Sequence, residues 1–512
     1  MSRARTYARN LLASWAGFGA NVVVMFLLSP FIVHSLGNTA YGVWTIVMSL
    51  TGYLGLVEMG VRLSLGRHIA YYIGLGDDDS VNAVISTAML VFVVCGIVIL
   101  VASVVIAIFL SSLFIKIPPD LIPSARIVVF IVACNLWVSL LSASFNQILT
   151  ARERFELLHA TAVAVLLLRA LGTVVVLSRG GGLIHLACVQ LATSTAGAVC
   201  AYLLSRRVFR PLRIGRRLAA WSRLRELLGY GIWAFIGNTA EMLIYWTDVV
   251  IIGAVFGPAI VTFYSIPLML IHYGNAVCFQ VASVLGPRTV AAAARKEFTE
   301  LRWLFVWGSK AVACVAIPVF VMYMVFGTHF ITLWMGQQYA IGGTVLVYLA
   351  ISQLVRLCAV LTRSVIASGF GHARIVAGLG IVQGVCNLIL TLVLVLQFRM
   401  GLIGVALGTM VPMIVFEAPL VFIACRLIHM NIHKYLWQVA VPLAIASMLL
   451  LLACWGINRI VTYQTWGGFV LKAGIGLVCF LPLAWAVVFR REERTTLAHH
   501  AKNAMAAISR VM

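Results

Sequence analysis

Apolar residues run along this chain in stretches too long for buried strands, and they do not alternate with polar ones. From Val81 to Ile115 there is no charged residue. About 20 apolar residues cross hydrocarbon as a helix, whereas a membrane barrel repeats short segments of alternating polarity. Fourteen helices are predicted, over residues 10–33, 40–60, 82–110, 124–149, 157–178, 183–205, 229–256, 260–286, 303–326, 342–367, 375–398, 402–427, 436–458 and 468–489. Pro118-Pro119, Gly180 to Gly182, Gly257-Pro258 and Gly369 to Gly371 fall at joints between them. The fold class expected is an all-α polytopic membrane protein of about fourteen transmembrane helices.

Composition agrees, and it changes the meaning of the charge. Hydrophobic residues make up 62% and charged ones 10%, against about 25% charged in a soluble domain. A net charge of +22 would suit a nucleic-acid binder. Here the basic residues sit in short loops between apolar runs, so no nucleic-acid partner is expected. Loops assigned to the cytoplasm hold 27 of the 37 Lys and Arg residues. The outside loops hold four: Lys116, Arg179, Arg399 and Arg459. This split places both termini inside a cytoplasmic membrane. Arg3, Arg5 and Arg9 precede a long run without an A-x-A-like cleavage site, which reads as an uncleaved first helix.

The chain also repeats. Gly37, Tyr41 and Trp44-Thr45-Ile46 recur as Gly257, Val261 and Tyr264-Ser265-Ile266, 220 residues on. Arg67 and Arg288, Arg154 and Arg374, Gly182-Leu183-Ile184 and Gly401-Leu402-Ile403, and Arg207 and Arg426 recur at offsets of 219 to 221. The expected organisation is therefore an N-lobe over residues 1–215 and a C-lobe with its linker over 216–435. A final helix pair and a cytoplasmic tail fill 436–512. Six spans is an even number, so the two repeats point the same way. Parallel repeats facing one another are a route to alternating access, which favours a transporter over a channel or receptor.

Three stretches carry a family resemblance. The first is Gly52 to Ala70, with Glu58, Gly60 and Arg67. The second is Asp248 to Gly253, followed by Gly257 and Tyr264-Ser265. The third is Ser368 to Arg374, then Asn387 and Gly401 to Gly408. Together they resemble the multidrug/oligosaccharidyl-lipid/polysaccharide exporter superfamily, and within it the O-antigen and exopolysaccharide repeat-unit flippases. The resemblance implies export of a lipid-linked oligosaccharide, with a glycan polymerase and glycosyltransferases as partners in the same process. Lipid II flippases carry arginines in their first helix, whereas residues 10–33 contain no charge and Asn21 is their main polar group. The alternative is a cation-coupled multidrug or toxin antiporter. That branch usually has twelve helices.

Ionisable groups within spans are costly, so they face a cavity or a partner. Arg169, Arg356, Arg363 and Lys310, with Gln353 on the stripe of Arg356, are candidates for a cavity that takes an anionic substrate; guanidinium matches phosphate with two parallel donors. Inter-helix ion pairing or snorkelling would also account for them. Glu241, Tyr245 and Asp248 share a face of the seventh helix and, with Glu417, are candidates for H+ or Na+ coupling. Glu241 and Asp248 could equally pair with Arg356 or Arg169. Glu58 reads as a local pair with Arg62, while Arg126 and Lys472 near span ends read as snorkelling.

The segment from Arg206 to Arg225 holds eight arginines, with Leu218, Trp221 and Leu224 spaced as one apolar helical face. It reads as an amphipathic helix on anionic lipid headgroups. The eleven cysteines lie in or beside apolar runs without CxxC and read as small buried hydrophobes. His433 and His499-His500 lack ligand spacing. No ATP-binding loop or large catalytic loop is present in the sequence, so neither an enzyme nor a cofactor is expected.

Overall fold

The computed structural model describes residues 3–461, 465–489 and 493–494. His499 and His500 lie outside the described residues, as do Arg490, Arg491, Lys502 and Arg510, which are among the 27 basic residues assigned to the cytoplasm. The described chain is entirely helical apart from its turns and linkers. Its longer helices are α1 (Arg3–Leu54), α2 (Val61–Leu75), α3 (Asp78–Leu113), α4 (Ile122–Ala151), α5 (Phe155–Ser178), α6 (Leu183–Val208), α7 (Trp221–Val255), α8 (Pro258–Ala294), α9 (Phe298–Met335) and α10 (Ile341–Cys358). The short α11 (Val360–Arg363) follows, then α12 (Ala373–Leu392), α13 (Gly401–Leu427), the short α14 (Ile432–Tyr435), α15 (Val441–Ile460) and α16 (Trp466–Leu483).

Thirteen of the described helices are long and apolar enough to cross a membrane. One of them, Gly17–Glu58, is two helices run together at Gly37, whose φ of 76° and ψ of 161° are not helical. Taken apart, they give the fourteen expected spans. Glycine is the residue that takes this conformation without a Cβ clash. On α3 the side chains of Val94, Ile97, Val98, Val101, Val105 and Ile108 are exposed at helical spacing, as a lipid-facing stripe requires.

Hydropathy leaves residues 61–75 as loop, because Arg62, Arg67 and His68 interrupt the apolar run. The structure folds them as α2, set off from the preceding turn by left-handed Met59 (φ 46°) and Gly60 (φ 73°).

The repeat reappears in the backbone. Gly37 and Gly257 have φ of 76° and 95°, and Gly76 and Lys296 have φ of 72° and 58°; each pair is 220 residues apart. Helices α3 and α9 begin at Asp78 and Phe298, and α6 and α13 at Leu183 and Gly401.

Two compact units divide inside α8, Met1–Ser265 and Ile266–Met512. The division falls later than the sequence repeat because α7 packs on α1, α2 and α3. Glycines permit this: a Cβ on Gly52 would collide with the Trp246 ring, and one on Gly42 with the Pro258 carbonyl. Tyr53 Oη, beside Trp246, bonds Thr247 Oγ1 at 2.5 Å and donates to the Met242 carbonyl at 3.2 Å.

The arginine-rich linker departs from its expected form. Residues 209–220 turn at Arg210-Pro211 and again, tightly, at Arg216–Leu218, and no continuous amphipathic helix forms. Phe209 and Leu212 are buried in the first unit's core instead. Asn82, Ser86 and Thr87 of α3 hold the linker backbone at Pro211, Arg213, Gly215 and Ala220. Those tertiary bonds satisfy amides that a helix would have paired internally. Where α7 begins, Arg223 donates to Ser80 Oγ at 2.8 Å, to Glu226 at 3.0 Å and to Tyr72 Oη, and His68 Nε2 lies 3.3 Å from Glu226.

In the second unit, α10 and α15 pack on α9, and α16 joins α9 and α15. Lys472 does not snorkel. It is buried, donates to Asn458 Oδ1 at 2.9 Å and lies 3.3 Å from His329 Nδ1. Arg126 bonds Ser111 Oγ at 3.3 Å. All eleven cysteines are free; four are buried, but Cys188 and Cys200 are exposed on α6.

Candidate functional site

In the second unit, polar groups gather along one face of α13. Thr409, Met413 and Glu417 succeed one another at four-residue spacing, so they share a stripe. Asn387 of α12 donates to Thr409 Oγ1 at 2.9 Å, and Gln353 of α10 bonds Met413 Sδ at 3.3 Å. Arg363 donates to Glu417 Oε1 at 2.6 Å, with the carboxylate almost fully buried. A pair this close neutralises both charges inside the span. Arg363 and Glu417, read from sequence as a cavity cation and a coupling acid, therefore sit together. Arg356 and Arg363 do not share one uninterrupted helix: α10 breaks at Ala359, and Ser364–Gly369 continues as a widened π turn. Such turns interrupt the regular ladder and recur at functional sites.

In the first unit, Asp248 of α7 is fully buried and accepts a 2.7 Å hydrogen bond from Tyr264 Oη of α8. Tyr245 is buried beside it on the same face, while Glu241 is exposed. The three residues do share a face, but their exposure divides them into a buried pair and a surface carboxylate.

Arg169, on α5, is half-buried. It donates to Thr193 Oγ1 at 3.4 Å and Ser194 Oγ at 3.1 Å on α6, and it makes no ion pair among the described residues. Lys310 has the opposite setting. It is fully buried and meets both oxygens of Glu493, at 2.7 and 2.9 Å. The carboxylate comes from the segment after α16, 183 residues away. Sequence spacing carries no sign of that partner. Glu58 and Arg62 form no ion pair among the described residues, because the chain turns at Met59-Gly60 between them; Glu58 Oε2 is buried without a hydrogen bond. No grouping of three or more His, Cys, Asp or Glu residues fit for a metal occurs among the described residues.

The model of a family described as "Polysaccharide biosynthesis protein" matches residues 33–341. The chain belongs to this family. EpsK of Bacillus subtilis (strain 168), described as an uncharacterized membrane protein, is 21% identical over 98% of this chain and 99% of its own. A putative O-antigen transporter of Shigella flexneri is 20% identical over 64% of this chain and 77% of its own. The fold is shared with the lipid II flippase MurJ in an inward closed conformation, at TM-score 0.69 and 14% identity over 92% of this chain and 98% of that one. It is also shared with an inward-facing multidrug-resistance MATE transporter of the MOP superfamily, at TM-score 0.68 and 15% identity over 80% and 94%. The chain is thus a multi-pass membrane protein of the polysaccharide biosynthesis family, with the fold of these flippase and MATE structures.

The family match spans Arg169, Glu241, Tyr245, Asp248 and Lys310 and stops at the start of α10, before Gln353, Arg356, Arg363 and Glu417. Sequence reading missed Tyr264 as the partner of Asp248, although Tyr264 lies within the repeat that places it at the start of α8.

Proposed function

We propose that this member of the polysaccharide biosynthesis family moves a lipid-linked oligosaccharide, the repeat unit of a polysaccharide or O-antigen, across the cytoplasmic membrane. It does so by alternating access, driven by H+ or Na+. Both termini and the arginine-rich linker face the cytoplasm, where the linker meets anionic headgroups. The polymerase and glycosyltransferases that make the glycan act beside it. The observation that carries this reading is Arg169. A guanidinium in mid-span, answered by two hydroxyls and no carboxylate, leaves positive charge that favours an anionic substrate and repels cationic drugs. The Shigella flexneri relative, named a putative O-antigen transporter, supports the same substrate class.

The test is surface glycan output in cells lacking this chain's gene, with membrane protein level measured alongside. Arg169→Ala is expected to lower output roughly thirtyfold, the factor that corresponds to losing about 2 kcal/mol of charge-assisted hydrogen bonding. Arg169→Lys is expected to restore only part of it, since one ammonium cannot make two parallel bonds. Wild-type output from Arg169→Ala would remove the anionic-substrate reading and favour the antiporter, whose site would be the α7 acids.

A further inference from the structure

A cavity of about 210 Å³, open to the surface of the first unit, is lined among others by Ser139, Ser142, Asn146, Thr161 and Ser194 and by the exposed Arg62. Four helices build it. Arg62 stands in the first turn of α2, just past the break at Met59-Gly60. Ser139, Ser142 and Asn146 fall on one face of α4, at spacings of three and four residues. Thr161 comes from α5 and Ser194 from α6.

The lining has a definite chemical character. Its polar groups are a guanidinium, hydroxyls and one amide, set beside the apolar Ala143, Leu158, Ala162 and Val165, and it has neither a carboxylate nor an aromatic ring. A cation would find no counter-charge there, and a sugar ring no stacking face. The donors, in contrast, are available. Arg62 makes no ion pair among the described residues, and neither Ser139 nor Ser142 gives its hydroxyl proton to another described group. Asn146 Nδ2 turns toward Ser142 Oγ at 3.4 Å, which aims that hydroxyl's proton elsewhere. A second guanidinium stands behind the wall, since Arg169 bonds the same Ser194 at 3.1 Å. Thr161 donates to the Leu157 carbonyl, so it lines the cavity chiefly with its methyl and lone pair. The volume is below the roughly 300 Å³ at which pockets for drug-sized molecules begin. It suits one compact polar group rather than a run of sugars.

We propose that this cavity is a phosphate site. Arg62 and the hydroxyls of Ser139 and Ser142, with Arg169 adding field from behind Ser194, hold a phosphate of the lipid-linked glycan while its sugars lie outside the cavity. The proposal rests on the substrate reading given above and assigns that substrate's charged joint chiefly to Arg62 and the α4 serines, with mid-span Arg169 behind them. Arg62 belongs to the basic side assigned to the cytoplasm, where a carrier lipid would be loaded. A phosphate with an apolar tail is offered by bulk phospholipid as well as by a polyprenyl carrier, so both sources enter the test.

The full chain in detergent micelles is titrated with farnesyl diphosphate, following its tryptophan fluorescence, with farnesol as the uncharged control. Farnesyl diphosphate is expected to bind at least tenfold tighter than farnesol. Arg62→Gln is expected to weaken it roughly thirtyfold and Ser142→Ala several-fold, with Arg62→Lys between wild type and Arg62→Gln. Unchanged affinity in folded Arg62→Gln overturns the site. If that variant fails to fold, unchanged affinity in both Arg62→Lys and Ser142→Ala overturns it equally. Displacement of the probe by an equal concentration of phosphatidylglycerol would assign the cavity to bulk phospholipid and sever it from the glycan. Surface glycan in cells lacking this chain's gene separates the two claims. If the wild-type chain restores none, the transport reading fails. If wild type and Arg62→Gln restore it equally, the cavity proposal fails and the transport reading stands.

Discussion

Asp248 carries the buried charge whose setting is easiest to test. A carboxylate in a span must be hydrogen-bonded or neutralised, and Tyr264 supplies one donor at 2.7 Å. Asn at this position keeps an oxygen that can accept from Tyr264 but cannot take up a proton or hold a cation. Asp248→Asn is therefore expected to insert normally and to lose most transport, with the residual rate indifferent to imposed pH and Na+ gradients. Wild-type rates under every gradient would remove Asp248 from coupling, and loss of folded protein would make it a structural residue. At this scale the sequence showed which groups were costly but seldom what satisfied them. Arg363 and Glu417 were both suspect from depth alone, yet their pairing depends on α10, α11 and α13 packing together, 54 residues apart along the chain. Lys310 likewise answers to Glu493 across 183 residues. The one pair that spacing did predict, Glu58 with Arg62, is undone by a left-handed turn that hydropathy does not encode.

Elements were legible where a long apolar run dictated them, and illegible where polar side chains strapped the backbone. The linker is the instructive case. Its arginines and its Leu218, Trp221, Leu224 spacing fit an amphipathic helix, but Asn82, Ser86 and Thr87 offer the same backbone other partners, and burial of Phe209 and Leu212 decides the competition. The linker's far end is anchored at the start of α7 by a cluster that titrates. Burial raises the pKa of Glu226, but hydrogen bonds from Arg223 and Tyr72, with the nearby charges of His68 and Arg223, outweigh it and hold the carboxyl below its ordinary value. A carboxyl depressed in the folded state stabilises that state above its unfolded pKa, and the contribution disappears as pH falls through the folded value. Docking of the linker is thus expected to be constant near neutrality and to weaken once pH drops below the ordinary glutamate range. Trypsin cleavage between Arg206 and Arg225, compared by hydrogen exchange at matched pH, would report it. Glu226→Gln should show the loosened linker already at neutral pH. Equal protection of wild type and Glu226→Gln at neutral pH would show that the cluster does not hold the linker.

Across the whole molecule, the strongest regularity is the 220-residue repeat, because it survives translation from letters into backbone geometry. Gly37 and Gly257 both leave helical space, and so do Gly76 and Lys296, where the residue type is not even kept. The repeat therefore specifies turns as well as composition, and it constrains sidedness. Separating α1 at Gly37 gives each repeat an even number of spans, so equivalent turns must open on the same side. Asp120, after α3, and Gln338, after α9, are such equivalents, 218 residues apart and both exposed. The excess of basic residues in the remaining loops predicts that both lie outside and Arg216 of the linker inside. In a chain freed of its eleven cysteines, Asp120→Cys and Gln338→Cys should react with an impermeant maleimide added to intact cells. Arg216→Cys should react only after the membrane is opened. Asp120 and Gln338 labelling from opposite sides would make the repeats inverted, which neither an even span count nor the shared turn geometry permits. Both labelling from inside would keep the repeats parallel but reverse the whole molecule, leaving the arginine-rich linker and Arg62 on the face where no carrier lipid is loaded. Labelling of both from outside is the result that the charge distribution and the repeat require together, and each of the other patterns identifies which of the two has failed.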